Sequence, residues 1–167
     1  MSQEAVGGAA APVAFSEQAE QTLATIVARY PTRRAALLPV LYLAQEEFGY
    51  LSEQAMAYVA QRLDLPEGKV FQVATFYTMF HKKPAGTYHI EVCTSVPCCM
   101  MGGYAVVRHL EKRLGIRCGG VTPDRRFSLA QAECLAGCGH APLMQINSVH
   151  YENLTEEEID RILDGLP

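Results

Sequence analysis

The chain has 167 residues, 49% of them hydrophobic and 19% charged, which is the composition of a globular protein able to bury a core without disulfide staples. Its net charge of −4 argues against a whole-surface attraction to nucleic acid, and no apolar run reaches the length of a membrane-spanning helix. The opening residues MSQEAVGGAAAPVAF carry no basic side chain, unlike a secretory signal or a transit peptide, so residues 1–15 read as a flexible Ala/Gly-rich leader and the protein as cytoplasmic.

Residues 16–83 read as a small helical bundle. Ser16 is an N-cap with Glu17 and Glu20 in the first turn, and Leu23, Ile26, Val27 and Tyr30 follow at helical spacing. Pro31 ends that helix and Thr32 caps the next, which runs to Gly49 with a kink or break expected at Pro39. Ser52 caps a third helix with a stripe of Met56, Val59, Ala60 and Leu63. Pro66 starts a fourth, whose face is Val70, Val73, Ala74 and Tyr77. The segment VATFYTMF allows two readings, helix core or partner-docking surface. His81, Lys82 and Lys83 read as a solvated linker before the boundary at Pro84.

Residues 84–167 alternate strands and helices. TYHIEVC is a strand that turns Tyr88, Ile90 and Val92 one way and delivers Cys93 at its end. A loop carrying Cys98 follows, then a helix with Ala105, Val106, His109, Leu110 and Leu114 on one side, ended by Gly115. RFSLAQAEC is a strand leading to Cys134. LMQIN and VHYEN are two more around a tight turn at Ser148, and Thr155 caps a last helix opening with Glu156, Glu157 and Glu158. The fold class is α+β: a helical bundle followed by a thioredoxin-like arrangement of a small mixed sheet with helices packed on it. Both cysteine pairs follow strand ends, so they can meet in loops at one edge of one sheet.

Those pairs are the chemical signal. Cys93 and Cys98 are spaced C-x4-C, Cys134 and Cys138 C-x3-C. In a reducing compartment paired cysteines more often bind metal or do redox chemistry than form staples, and four thiolates are what an iron–sulfur cluster takes from a protein. Gly102, Gly103, Gly137 and Gly139 would permit the close backbone approach that such a cluster needs, and Pro97 stiffens the first ligand loop. Buried structural thiols are one competing reading and zinc another, although C-x4-C lies at the edge of zinc-knuckle spacing. No C-x-x-C is present for thiol exchange. Cys99 adjoins Cys98 and cannot easily face the same centre, and Cys118 lies far from both pairs; both read as bystanders. His140 leaves a mixed Cys/His set conceivable, whereas His81, His89, His109 and His150 have no partner spacing. The six cations between Arg108 and Arg126 read as a solvated face or a docking patch. No GxGxxG or P-loop is present.

At YPTRRAALLPVLYLAQEEFGY, VATFYTMF, VCTSVPCCMMGG, GVTPD, ECLAGCGHAPLMQIN and the acidic last helix, the sequence resembles the thioredoxin-like [2Fe–2S] small subunit of the NADH-oxidising module of respiratory complex I. The resemblance spans about residues 16–166. It implies that Cys93, Cys98, Cys134 and Cys138 ligate one [2Fe–2S] cluster, with Cys99 and Cys118 outside the ligand pattern, and that the Ala141–Pro142 bond is cis. It implies an electron-carrying component of NADH:quinone oxidoreductase with no substrate site of its own. FMN and NADH would sit on a larger partner subunit, and the complex's hydrophilic arm would lie peripheral to the inner membrane without direct membrane insertion. Related subunits serve NAD-linked hydrogenases and formate dehydrogenases; a zinc-binding interaction module is the alternative of another class.

Overall fold

The computed structural model describes residues 13–167, so most of the expected leader lies outside the described residues. Two compact units divide between Pro84 and Ala85.

The first unit holds α1 (Glu17–Ala28), α2 (Leu37–Phe48), α3 (Glu53–Leu63) and α4 (Glu67–Phe76). Local chemistry sets the ends. Ser16 Oγ accepts from Ala19 N at 3.3 Å and Ser52 Oγ from Ala55 N at 3.1 Å, each satisfying a helix-end donor that has no intrahelical partner. Gly49 closes α2 at φ 78°, in the left-handed region that glycine enters without strain. Pro39 does not kink or break its helix. Residues 32–36 form turns, α2 starts at Leu37, and Pro39 falls in the first turn, where a missing N–H costs no hydrogen bond. Tyr30 lies beyond α1 and is exposed rather than on its buried face.

The core of this unit gathers Leu23, Val40, Leu41, Val59, Leu63, Val70 and Phe80. Phe15, assigned to the leader by composition, is packed in it: its ring stacks on Phe48 at 5.4 Å and its N–H donates to Tyr58 Oη. His81 is not a solvated linker residue either. Its N–H donates to Gln45 Oε1 at 2.6 Å, its carbonyl accepts from Leu51 N at 2.7 Å, and burial, aided by the Lys82 charge, holds its imidazole below the ordinary histidine value.

The second unit holds β1 (Tyr88–Cys93), α5 (Val96–Met100), α6 (Gly103–Leu114), β2 (Phe127–Ala132), β3 (Met144–Ile146), β4 (Val149–Tyr151) and α7 (Glu156–Gly165). The sheet order is β2-β1-β3-β4: β1 runs parallel to β2, with Cys93 opposite Ala132, and antiparallel to β3, with Val92 opposite Met144. A parallel neighbour requires a crossover, which α6 supplies. Ile90, Val92, Leu129, Met144 and Ile146 pack with Val106, Val107 and Leu110 of α6 and with Ile159 and Leu163 of α7. This is a thioredoxin-like fold with a small mixed sheet.

Two details differ from the pattern read in sequence. Ala105 is exposed and Val107 buried, so the inward face of α6 is rotated toward Gly103, Val107 and Leu110. His109, half-buried, has partners that sequence spacing did not reveal: Nε2 lies 2.9 Å from Asp160 Oδ1 and Nδ1 3.4 Å from Glu156 Oε2, tying α6 to α7, while Arg113 reaches Asp160 and Asp164. The hydrogen bond from His109 is the largest cause holding the Asp160 carboxyl below its ordinary value.

Candidate metal centre

β1, an inner strand, carries Cys93 at its C-terminal end. Pairing continues past the strand: Cys93 N donates to Leu143 O at 3.1 Å and Thr94 N to Ala132 O at 3.0 Å. The Cys98 loop expected from sequence is instead α5, a short helix with Pro97 in its first turn, where proline's lost donor is harmless. It was missed because five residues give no readable period. A Ser followed two places later by Pro was the available signal, since that pairing marks an N-cap and first turn.

This geometry places Cys93 (1% exposed) against Cys98 (0% exposed), with Leu143 buried beside them. Burial alone would raise the Cys93 thiol. Hydrogen bonds from the Ser95 hydroxyl, the Ser95 and Leu135 backbone N–H groups and Cys98 outweigh it and lower the value. The Ser95 Oγ to Cys93 Sγ distance is 3.3 Å. Burial and the neighbouring Cys93 raise the Cys98 thiol, against hydrogen bonds from Ser95 and the Leu143 backbone.

Cys134 and Cys138 are exposed, in the loop after β2. Ala136 N donates to Cys134 Sγ at 3.3 Å, and Cys138 opens a single 3₁₀ turn to His140. Leu135, inside this second motif, packs against the cluster of Cys93, Cys98 and Leu143, so the loop of one pair rests against the other. Among the described residues no three Cys, His, Asp or Glu side chains are grouped as a site for a single metal ion.

Two of the four glycines are explained by close approach. A Cβ on Gly103 would lie 2.9 Å from both the Cys93 and Cys98 carbonyl oxygens, and one on Gly137 would lie 2.9 Å from Leu143 Cδ1. Gly102 holds a left-handed conformation at φ 96°, while Gly139 has open space. These contacts let the two cysteine segments close on each other. A donor set of four thiols in two pairs, laid on tight backbone, fits a binuclear iron–sulfur group, which takes four cysteine thiolates.

The bystanders are accounted for. Cys99 is exposed on α5. Cys118 packs against the sheet–helix core, its thiol raised by burial and its N–H donated to Glu111 Oε1 at 2.9 Å. His140 lies 3.8 Å from Glu152. Sequence reasoning missed Ser95, Leu135 and Leu143, because their contribution comes from hydrogen bonds and packing made after folding. Around the first pair, Val96, Met100, Met101 and Tyr104 are exposed, Met100 to 81%. The Ala141–Pro142 peptide bond is cis. No helix among the described residues is long and apolar enough to cross a membrane.

The chain has relatives among known proteins. The sequence model of the family described as thioredoxin-like [2Fe-2S] ferredoxin matches residues 23–167. The E-type NADH-quinone oxidoreductase subunit of Rickettsia felis is 44% identical over 142 residues, 83% of this chain and 85% of that protein. A second E-type subunit, from Rhizobium meliloti, is 43% identical over 138 residues, 83% of this chain and 82% of that one. Among solved structures, an NAD+-reducing [NiFe]-hydrogenase in the air-oxidized state aligns with a TM-score of 0.68 at 28% identity. The match covers 77% of this chain but only 22% of the hydrogenase chain.

Proposed function

The chain belongs to the thioredoxin-like [2Fe–2S] ferredoxin family, within the E-type subunits of the NADH-quinone oxidoreductases, and we propose that Cys93, Cys98, Cys134 and Cys138 hold its cluster while the protein exchanges single electrons with FMN on a larger, NADH-binding partner subunit. When bound, a [2Fe–2S] cluster accepts and returns one electron at a time. Everything else this chain does is positioning. The Cys93–Cys98 pair is rigid and shielded, held by the end of β1 and by Leu143. The Cys134–Cys138 pair is open to solvent in a neighbouring loop, where the cluster's outer edge would meet a partner. Exposed Val96, Met100, Met101 and Tyr104 offer an apolar rim to that partner, in keeping with the enrichment of Met and aromatic residues at interfaces. The chain itself has no nucleotide-binding signature, so hydride chemistry is assigned to the partner. The complex lies on the cytoplasmic side, peripheral to the inner membrane.

The observation that carries this reading is that Leu135, inside the second cysteine motif, packs against the buried cluster of Cys93, Cys98 and Leu143 around the first. That contact supports treating the two motifs as one locus. A second reading is the equivalent part of an NAD-linked hydrogenase or formate dehydrogenase, of which the hydrogenase is favoured by the fold match to the NAD+-reducing hydrogenase; nickel in the purified complex would identify the hydrogenase. Iron and acid-labile sulfide assay with EPR of the dithionite-reduced protein tests the core. Two irons per chain and one spin system are expected, with Cys134→Ser losing both and Cys118→Ser leaving them intact. A colourless zinc protein, or an unchanged spectrum in Cys134→Ser, overturns it.

A further inference from the structure

Six cations stand between Arg108 and Arg126, and the fold neutralises only some of them. Arg113 reaches Asp160 and Asp164 on α7, and Arg117 lies 3.4 Å from Glu111. Arg126 lies over the Tyr88 and Phe127 rings and donates to Leu166 O at 2.7 Å. Arg108, Lys112 and Arg125 are exposed, and among the described residues none of the three has a carboxylate at ion-pair distance.

Two of those three share one face of α6. Tyr104, Arg108 and Lys112 follow at helical spacing, all exposed, on the side turned away from buried Val106, Val107 and Leu110. The one carboxylate of this helix, Glu111, is already engaged by Cys118 N at 2.9 Å and by Arg117. The ridge runs about 12 Å from Tyr104 to Lys112. Its near end lies close to the first cysteine pair. Tyr104 follows Gly103, where an added Cβ would stand 2.9 Å from both the Cys93 and the Cys98 carbonyl oxygens. A chain of net charge −4 thus presents unneutralised positive charge beside its paired thiols.

We propose that the Arg108–Lys112 ridge is the landing surface for a small acidic one-electron carrier protein, separate from the flavin-binding subunit, an inference that rests on the reading of the four cysteines as cluster ligands. Charge sets the sign of the partner: two free cations on a face without a competing carboxylate attract and orient acidic residues. Composition sets how long it stays. Beyond Tyr104 the face carries only Ala105, Arg108 and Lys112, so it lacks the apolar centre of a permanent interface and suits the small, brief contacts of electron-transfer pairs. An anionic lipid surface would need several apolar side chains on the same helix face and a larger group of cations. The step moves one electron. The reduced cluster returns to its oxidised form, the carrier's metal centre drops by one in oxidation state, and no bond or proton changes hands.

The test uses the full chain carrying its cluster, with two c-type cytochromes as probes, one acidic and one basic. Binding is read by calorimetry at low salt, and electron transfer by stopped flow once the chain has been reduced with dithionite and the excess removed. The double reversal Arg108→Glu/Lys112→Glu is expected to slow association with the acidic cytochrome about tenfold, and added salt should slow the wild type toward the variant. Its rate with the basic cytochrome should not fall. The conservative exchange Arg108→Lys/Lys112→Arg should keep the wild-type rate with the acidic probe. The EPR signal and the helical circular dichroism should stay at wild-type strength in both variants. An unchanged rate with the acidic cytochrome overturns the inference, as does an equal loss with both probes. Ridge-dependent sedimentation with phosphatidylglycerol vesicles would make the face a lipid contact, and loss of flavin from the complete complex of the reversal variant would make it part of the subunit interface; either result also overturns it. A chain that holds no iron removes the reading of the cysteines first and the carrier site with it.

Discussion

Ser95 illustrates how one side chain can set the character of a metal ligand. Its hydroxyl sits 3.3 Å from Cys93 Sγ, and its backbone N–H reaches the same sulfur. Hydrogen bonds to a ligating sulfur stabilise the more negative, reduced state of an iron–sulfur centre, and so raise its reduction potential. Ser95→Ala removes the hydroxyl and keeps the backbone donor. The expected outcome is a lower midpoint potential in an EPR-monitored redox titration, with iron content unchanged; an unaltered midpoint would show the hydroxyl to be turned away from the sulfur in the loaded protein. The residue-scale reading of sequence found the four thiols, because spacing is a property of the chain. It could not find Ser95 or Leu135 as partners, because Leu135 is far from Cys93 along the chain and meets it only through the β1–β2 pairing that precedes both loops.

At the scale of elements, end signals were the legible part. Ser16, Ser52 and Thr155 each cap a helix through a side-chain oxygen, and Gly49 and Gly115 each close one in the left-handed conformation. Caps are local, involving groups three residues apart, so sequence displays them directly. Pro39 was misread for the complementary reason. A proline is a breaker only in a helix interior, and whether it stands there depends on where the helix begins, which the turns over 32–36 decide. The α5–α6 junction gives the sharpest element-scale prediction. A methyl at Gly103 meets two backbone oxygens at 2.9 Å, neither of which can swing aside. Gly103→Ala should cost about 1–3 kcal/mol in urea unfolding and reduce cluster content by spreading the Cys93 and Cys98 segments. Gly139→Ala, in open space, should stay within about 0.5 kcal/mol.

For the molecule as a whole, two units with separate cores imply two acid responses. In the helical unit, burial and Lys82 hold the His81 imidazole below the ordinary value of 6.5, so the folded state binds fewer protons than the unfolded chain. The stability linked to His81 is therefore complete above that value and lost as pH falls below it. In the second unit, Asp160 is held below the ordinary 3.8, chiefly by its hydrogen bond with His109, so its contribution is complete above 3.8 and lost as pH falls below it. His81→Gln should flatten the loss of stability of the helical unit between about pH 7 and 5, measured by urea midpoints from helical circular dichroism. The second unit, followed by its tertiary signals, should keep its wild-type response over that window; an unchanged slope in the helical unit would remove His81 as the sensor.

By itself the sequence determined most of the helices and strands, though not α5, and which thiols stand in pairs. Each of these follows from periodicity, capping or spacing, interactions that span a few residues and are written along the chain. Only the tertiary structure decided that Cys93 and Cys98 are buried while Cys134 and Cys138 face solvent, and that Phe15 and His81 belong to the bundle. Burial and apposition depend on which segments, distant in sequence, the sheet order and helix packing bring together, and that outcome is a property of the whole packed chain.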